Sequence, residues 1–405
     1  MHKKVLTAIV IGLAACCAAG EVRYLAANGD DANDGKSPKT AWRTVERLNS
    51  GLPSGGTALL RCGDVFYGTV MVLGGVDRNH RTAVMSFGSG PKPVISCTKN
   101  LRDDPAIWQA HSTGYNQWYV DLTNPSNYTG LMSDDANPGF LLVDGEVKPW
   151  KRFSRHDVNA QWDFAGEDGR LYVHSTNNPA LLSHDIRVAV NVHGVRLFSH
   201  TAVSNLAVRA TGAHGMYAGW SKTPTTDMRI SDCTFENIGG SELENYYCDG
   251  KLRVRYGNGI EFGANCEDAI VERCEFRGVY DVAYTMQGNI EGATGWKDVH
   301  VRGCLMVDCS QAFEIWCKSA PPGVGFKRCS FTGNRTVNVG GGWGALTRPN
   351  RQTATPLLVY AMETDTVDIE VTGNVFEKVS SGLIYKRGGL DTLPSGYRVH
   401  DNVIR

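Results

Sequence analysis

The sequence predicts an all-β solenoid of parallel strands, and three observations carry that prediction. A short pattern recurs through residues 227–331: Met228-Arg-Ile230-Ser-Asp-Cys233-Thr-Phe235 returns as Ile270-Val271-Glu-Arg-Cys274-Glu-Phe276, as Val299-His-Val301-Arg-Gly-Cys304-Leu-Met306 and as Val324-Gly-Phe326-Lys-Arg-Cys329-Ser-Phe331. It extends to Leu206-Ala-Val208-Arg-Ala-Thr211, Ile369-Glu-Val371-Thr-Gly-Asn374-Val-Phe376 and Tyr397-Arg-Val399-His-Asp-Asn402-Val-Ile404. The turn residues Thr211, Cys233, Cys274, Cys304, Cys329, Asn374 and Asn402 follow one another at about 22 to 30 residues, with two gaps of about 41 and 45 that hold long loops, a solenoid period. Apolar and polar residues alternate before each turn, as in a half-buried strand. Finally, 46 glycines punctuate many short β-prone runs. Each coil then buries against its neighbours what it cannot bury alone.

Residues 1–20 read as an export signal: basic His2, Lys3 and Lys4, an apolar run from Val5 to Ala15 too short to span a membrane, then small residues. Cleavage after Ala18-Ala-Gly20 predicts a secreted or periplasmic protein; Leu13-Ala-Ala-Cys16 offers the alternative of an outer-membrane lipoprotein acylated on Cys16. Residues 21–405 are the solenoid domain. Residues 24–35 read as a strand and an Asx-rich turn that lacks the late bidentate Glu of an EF-hand. Residues 40–48 predict a short helix, capped by Thr40, with Trp42, Val45 and Leu48 on one face to close the open end of the solenoid. Strands follow at 56–62, 68–73, 83–87 and 94–96. Between about 101 and 186 the pattern breaks: Trp108, Trp118, Trp150 and Trp162 lie in turn-rich sequence with hairpin-like runs at 139–145 and 169–175, predicting an inserted small β subdomain. The coils resume near Val188 and run to Arg405.

A formal net charge of −1 supplies no electrostatic basis for binding nucleic acid or an anionic membrane. Export permits disulfides. The cysteines of the turn column read as small buried hydrophobes, whereas Cys62, Cys97, Cys248, Cys266, Cys309 and Cys317 are the candidates for bridges. No CxxC spacing occurs, so no zinc site is expected.

Together these features resemble the right-handed parallel β-helix of the pectate-lyase-like superfamily, whose exported enzymes cut acidic or neutral polysaccharides; the general rule for parallel crossovers favours the same hand. Asn258-Gly-Ile-Glu-Phe262, Tyr280-Asp-Val-Ala-Tyr284 and Ser310-Gln-Ala-Phe-Glu-Ile315 are similar in position to the NTD, DD and GHG motifs of polygalacturonases. The match is partial: Asn258 replaces the first Asp, only Asp281 remains of the adjacent pair, Gln311 stands where the His would be, and no RIK-like triplet follows. The resemblance implies a polysaccharide or oligosaccharide substrate without importing that mechanism.

One strand before each ladder strand come residues 215–218, 259–262, 282–285, 312–315 and 382–386. If Met216, Ile260, Ala283, Phe313 and Leu383 point inward, then Tyr217, Glu261, Tyr284, Glu314 and Ile384 line one outer face. Glu261 and Glu314, two coils apart, would have backbones roughly 9.6 Å apart, and side-chain tilt brings their carboxyls into the range an inverting glycosidase needs to admit a water. Asp281 can serve as acid or base with either, and Tyr284 completes the predicted catalytic set. His214 heads the equivalent strand of an earlier coil as a structural or subsite residue. Trp316 and Trp343 suit a stacking platform, and Arg348, Lys386 and Arg387 can grip a carboxylate or sulfate. The set predicts a monomeric glycoside hydrolase without a cofactor, with no nucleic-acid partner and no transmembrane segment. A lyase is the second reading; it calls for Ca²⁺ or Arg against a uronate carboxylate and a base such as Tyr284 with Lys386 or His214. A non-catalytic glycan-binding β-helix is the third, since fold alone does not set function.

Overall fold

The computed structural model describes residues 20–405 except 112–114, 220, 249–251, 289–293, 318–319, 349–353, 362–363, 365, 380–381 and 387–391. Residues 1–19, which hold most of the predicted export signal and Cys16, and Arg387 lie outside the described residues, as does the Cys248 side chain. Among the described residues no helix is long and apolar enough to cross a membrane.

The chain is a parallel β-helix. Three sheets of ten, nine and eight strands, every internal pairing parallel, run along the solenoid, and each complete coil contributes one strand to each. One coil shows the order: Ile260–Phe262 in the third sheet, Cys266–Glu272 in the first, Glu275–Val279 in the second. Register stacks like on like, since alternate residues share a face. Val203, Ile230, Val271, Val301, Phe331, Val371 and Val399 form one continuous row of the first sheet. Aromatic rings stack within the second sheet, Phe235 and Phe276 parallel at 4.7 Å, and between the third and first sheets, Phe313 and Phe331 at 5.0 Å.

The turn between first and second sheets holds the predicted ladder, with two members reassigned. Cys274 N–H donates to Cys304 Sγ, Cys304 N–H to Asn334 Oδ1, Asn334 N–H to Asn374 Oδ1 and Asn374 N–H to Asn402 Oδ1. Asn334, not Cys329, is therefore the fourth-coil member: Cys329 lies inside strand Gly325–Thr332, paired with Ile369 and buried. Thr211 likewise belongs to the second sheet, opposite Ile238, and Leu206 occupies the turn. Both slips are of five residues, the distance from the first apolar position of the pattern to its turn residue, so the pattern fits equally well one step along and leaves the register of a coil open. The residue before each ladder position is left-handed, with φ of 54° at Asn205, 55° at Asp232, 51° at Arg273, 62° at Gly303 and Gly333, 66° at Gly373 and 53° at Asp401, a conformation Gly, Asn and Asp tolerate best. Arg328 before Cys329 shares it, at 52°, so the side-chain ladder and not the backbone marks Asn334 as the member.

At the N-terminal end the helix is Val45–Gly51, capped by the Thr44 hydroxyl, which accepts from Arg47 N–H at 3.1 Å; Thr40 ends a separate 3-10 turn. Val45 and Leu48 are buried in the solenoid core. Between the coil ending at Ser96 and strand Val195–Leu197, the chain builds a five-stranded and a four-stranded antiparallel sheet around their own apolar core. Their strands run from Thr98–Leu101 to Ile186–Val190. The expected bridges are not formed at Cys62, Cys97, Cys266 and Cys309, which are free thiols. Burial pushes the Cys97 and Cys309 thiols up to about 12, so they behave as small apolar groups.

Candidate active site

The outer face of the third sheet carries the site. Register aligns Tyr217, Glu261, Thr285, Glu314, Leu358 and Tyr385 in one row, and Met216, Ile260, Tyr284, Phe313, Leu357 and Ile384 in the row pointing the other way. Glu261 and Glu314 stand where the alternation put them. Tyr284 and Ile384 do not: both are one residue out of phase. Val282–Gln287 carries no charged residue and is buried along nearly all of its length, so its alternation could not set the phase. Tyr284 is fully buried between Phe262 and Phe313, at ring separations of 5.5 and 6.0 Å. Its hydroxyl has no hydrogen-bond partner. Tyr284→Phe should therefore keep full activity and raise stability by up to about 1 kcal/mol, because an unmatched buried hydroxyl is a net cost. Thermal unfolding with a parallel activity assay checks this; a tenfold loss of activity would return Tyr284 to the chemistry.

Glu261 is held by three donors on one oxygen. Asn258 Nδ2 and His214 Nε2 lie 2.8 and 3.1 Å from Oε2, and Gln287 Nε2 donates to it too. The His214 tautomer follows from geometry. Its Nδ1 accepts the Asn258 N–H at 3.0 Å, so the ring proton sits on Nε2, facing Glu261. Burial drives His214 down to about 3, keeping the ring neutral, and His193 stacks on it at 5.0 Å with its own Nδ1 accepting His214 N–H. Asn258 also accepts Val282 N–H at 3.1 Å, tying three coils together. His214 is thus a positioning group for Glu261.

Asp281 heads the next strand, and its Oδ1 meets Arg348 Nη1 at 2.5 Å. Arg348 arrives there through the segment before it. Helix Trp343–Thr347 is anchored by Trp343, whose Nε1 donates to Gly278 O at 2.8 Å and whose ring packs on Phe140 and Tyr280. Gly344 presses against the Tyr280 backbone, where an added Cβ would lie 2.2 Å from the carbonyl oxygen. Trp343 is therefore a wedge between coils and antiparallel sheet, not a partner of Trp316 in a platform. Trp316 instead stacks on Tyr360 at 5.4 Å, one row along from Glu314. Lys386 is exposed and lies two coils beyond Glu314, out of its row.

Glu314 is 7% exposed, and Thr285 Oγ1 donates to its Oε2 at 2.9 Å. Burial, reinforced by the neighbouring charge of Asp281, pushes its carboxyl up to about 8. The site thus sets a carboxylic acid that keeps its proton at neutral pH beside an Arg-paired Asp281 and a Glu261 fixed by N–H donors. Sequence reasoning missed Thr285, Gln287 and the hub role of Asn258. Asn258, three residues before Glu261 at the strand entrance, was visible as a motif residue; the other two depended on the strand phase.

No protein-family model matches the chain, and no curated protein resembles it in sequence. Among solved structures it is similar to a lacto-N-biosidase from Eubacterium ramulus at 14% identity and TM-score 0.46, covering 95% of this chain and 68% of that one. It is similar to XylC in complex with xylose at 12% identity and TM-score 0.45, covering 95% and 76%. An alginate lyase from Paenibacillus sp. gives 12% identity and TM-score 0.41, covering 89% and 93%. These likenesses are of fold.

Proposed function

We propose that the protein is an exported glycoside hydrolase acting on a polysaccharide or complex glycan at the Glu261–Asp281–Glu314 cluster. The observation that supports this reading is the division of labour among the three acids. Glu314 is held protonated and suits the general acid that protonates the glycosidic oxygen as the bond breaks. Asp281, the least enclosed of the three, suits the base that activates water from the far side, with Arg348 fixing its rotamer. Glu261, gripped on one oxygen by N–H donors, is placed to face the developing oxocarbenium ion. In this reading the helix Val45–Gly51 closes one end of the solenoid and the antiparallel segment walls the groove. The lyase reading loses its first base, since Tyr284 lies in the core.

The test is an assay of the purified protein on a panel of neutral and uronic polysaccharides. New reducing ends without the ultraviolet absorbance of an unsaturated sugar are expected. Unsaturated products would replace hydrolysis by elimination, and no product on any glycan would leave a binding protein.

A further inference from the structure

The antiparallel segment carries a cavity of about 520 Å³, within the size range of small-molecule sites, and none of its lining residues lies in the third sheet. Part of the wall is the end of the hairpin of strands Pro138–Val143 and Glu146–Lys148. Its Asp144-Gly145 turn has φ of 51° and 80°, the left-handed pair that a two-residue hairpin loop needs. Gln161 and Trp162, just before strand Phe164–Glu167, and Thr176, just after strand Arg170–His174, line it too. The cavity opens to solvent, since Asp144, Glu146, Gln161 and Thr176 are all exposed.

Trp162 is half-buried, with one side packed on the apolar core of the segment. Its indole N–H and the Thr176 hydroxyl make no hydrogen bond to other described residues. Its backbone is left-handed, at φ 66°, a conformation rare for a bulky residue and kept only where the surroundings enforce it. Here they do. Buried Asp163 accepts Asn159 N–H at 3.2 Å and Ala160 N–H at 3.0 Å, and it takes Arg152 Nε and Nη2 at 2.9 and 3.0 Å. Trp162 N–H donates to His174 O at 2.9 Å. The Gln161 carboxamide accepts Thr176 N–H at 3.0 Å and donates to the Ser175 hydroxyl at 3.3 Å, tying the two loops together. The ring is thus in place before any ligand arrives, which lowers the ordering cost of binding.

A fixed indole beside hydroxyl and carboxylate groups matches a pyranose, whose C–H face meets the negative face of the ring while its hydroxyls bond the polar rim. Charge favours a neutral sugar. The Lys148 ammonium is matched by Glu146 at 2.7 Å. That leaves the Asp144 carboxylate, which accepts the Ser183 hydroxyl at 2.8 Å, to accept from a sugar hydroxyl and to oppose a uronate or sulfate.

We propose that this cavity is a second glycan-binding site, which holds one or two neutral pyranose units of a chain through Trp162, Thr176 and Asp144, apart from the acid cluster. It stands whether or not those acids hydrolyse the chain. The test is calorimetric titration of the full chain with cellotetraose, xylotetraose, mannotetraose and tetragalacturonate, on a Glu314→Gln background that keeps the probes intact. At least one neutral probe should bind, and added Trp162→Ala should weaken that binding step at least about tenfold, the scale of one aromatic contact. Added Thr176→Tyr, at an exposed position on the rim, obstructs the cavity without touching the core and should do the same, so the test stands even where Trp162→Ala does not fold. Any step contributed by the acid cluster should remain in both variants, and tetragalacturonate should be indifferent to either change. A folded variant of either kind that keeps every neutral binding step at its original affinity would overturn the site. So would a loss of tetragalacturonate binding in either variant, or no neutral probe bound at millimolar concentration. Cleavage assays on the native chain report on the acids alone, so this site and the hydrolase reading fail separately.

Discussion

Glu314→Gln should lower kcat by roughly 10²–10⁴-fold on any glycan the native protein cuts, the usual contribution of a general acid. The amide preserves size and can still accept from Thr285, so the loss isolates the proton. The native protein should also show an alkaline limb in kcat/KM near pH 8, where Glu314 gives up that proton, and the residual activity of the variant should lack it. Stability supplies an independent reading with its own sign. The Glu314 carboxyl has its ordinary value of 4.5 when unfolded and about 8 when folded. Between those values unfolding releases a proton, so this contribution is fully present below pH 4.5 and is lost as pH rises through 8, at up to about 1.4 kcal/mol per pH unit. Glu314→Gln should abolish that slope and unfold at a higher temperature than the native chain in alkaline buffer. A variant with native activity, or an unchanged alkaline limb, would remove Glu314 from the chemistry.

The scaffold was more legible than the site, for a physical reason. A solenoid repeats its burial problem in every coil, so one pattern is stated many times, and an error at Cys329 or Thr211 leaves the architecture intact. The candidate site depends instead on the phase of single strands. Glu261 and Glu314 each sit in strands where a charged residue interrupts apolar neighbours, and the alternation reads correctly. In Val282–Gln287 no charge interrupts the run, so Tyr284, amphipathic and between the two acids in coil order, reads as outward in place of Thr285. The pairing of Arg348 with Asp281, and the wedge made by Trp343, are contacts across 67 and 65 residues that no local period encodes.

Asn374→Ala should cost about 3–5 kcal/mol, the largest stability loss expected from one polar side chain here. Asn374 is fully buried, and its two polar atoms serve three coils. Oδ1 accepts Asn334 N–H at 2.8 Å and Asn334 Nδ2 at 3.1 Å; Nδ2 donates to Phe331 O and Asn402 Oδ1, both at 2.9 Å. Truncation strands these groups in a dry core, at about 1–3 kcal/mol for each left unsatisfied. Asn374→Cys should cost markedly less, because a thiol already fills this position at Cys304, where Sγ accepts the Cys274 N–H. Solenoid coils are stabilised chiefly by their neighbours, so the damage should be local. Amide exchange should quicken in Gly325–Thr332, Thr366–Thr372 and Tyr397–His400 while Thr201–Ser204 stays protected. Urea unfolding of the two variants, followed by that exchange measurement, separates a ladder from a spacer. If alanine and cysteine were equally harmful, the hydrogen bonds would not be what holds the column together.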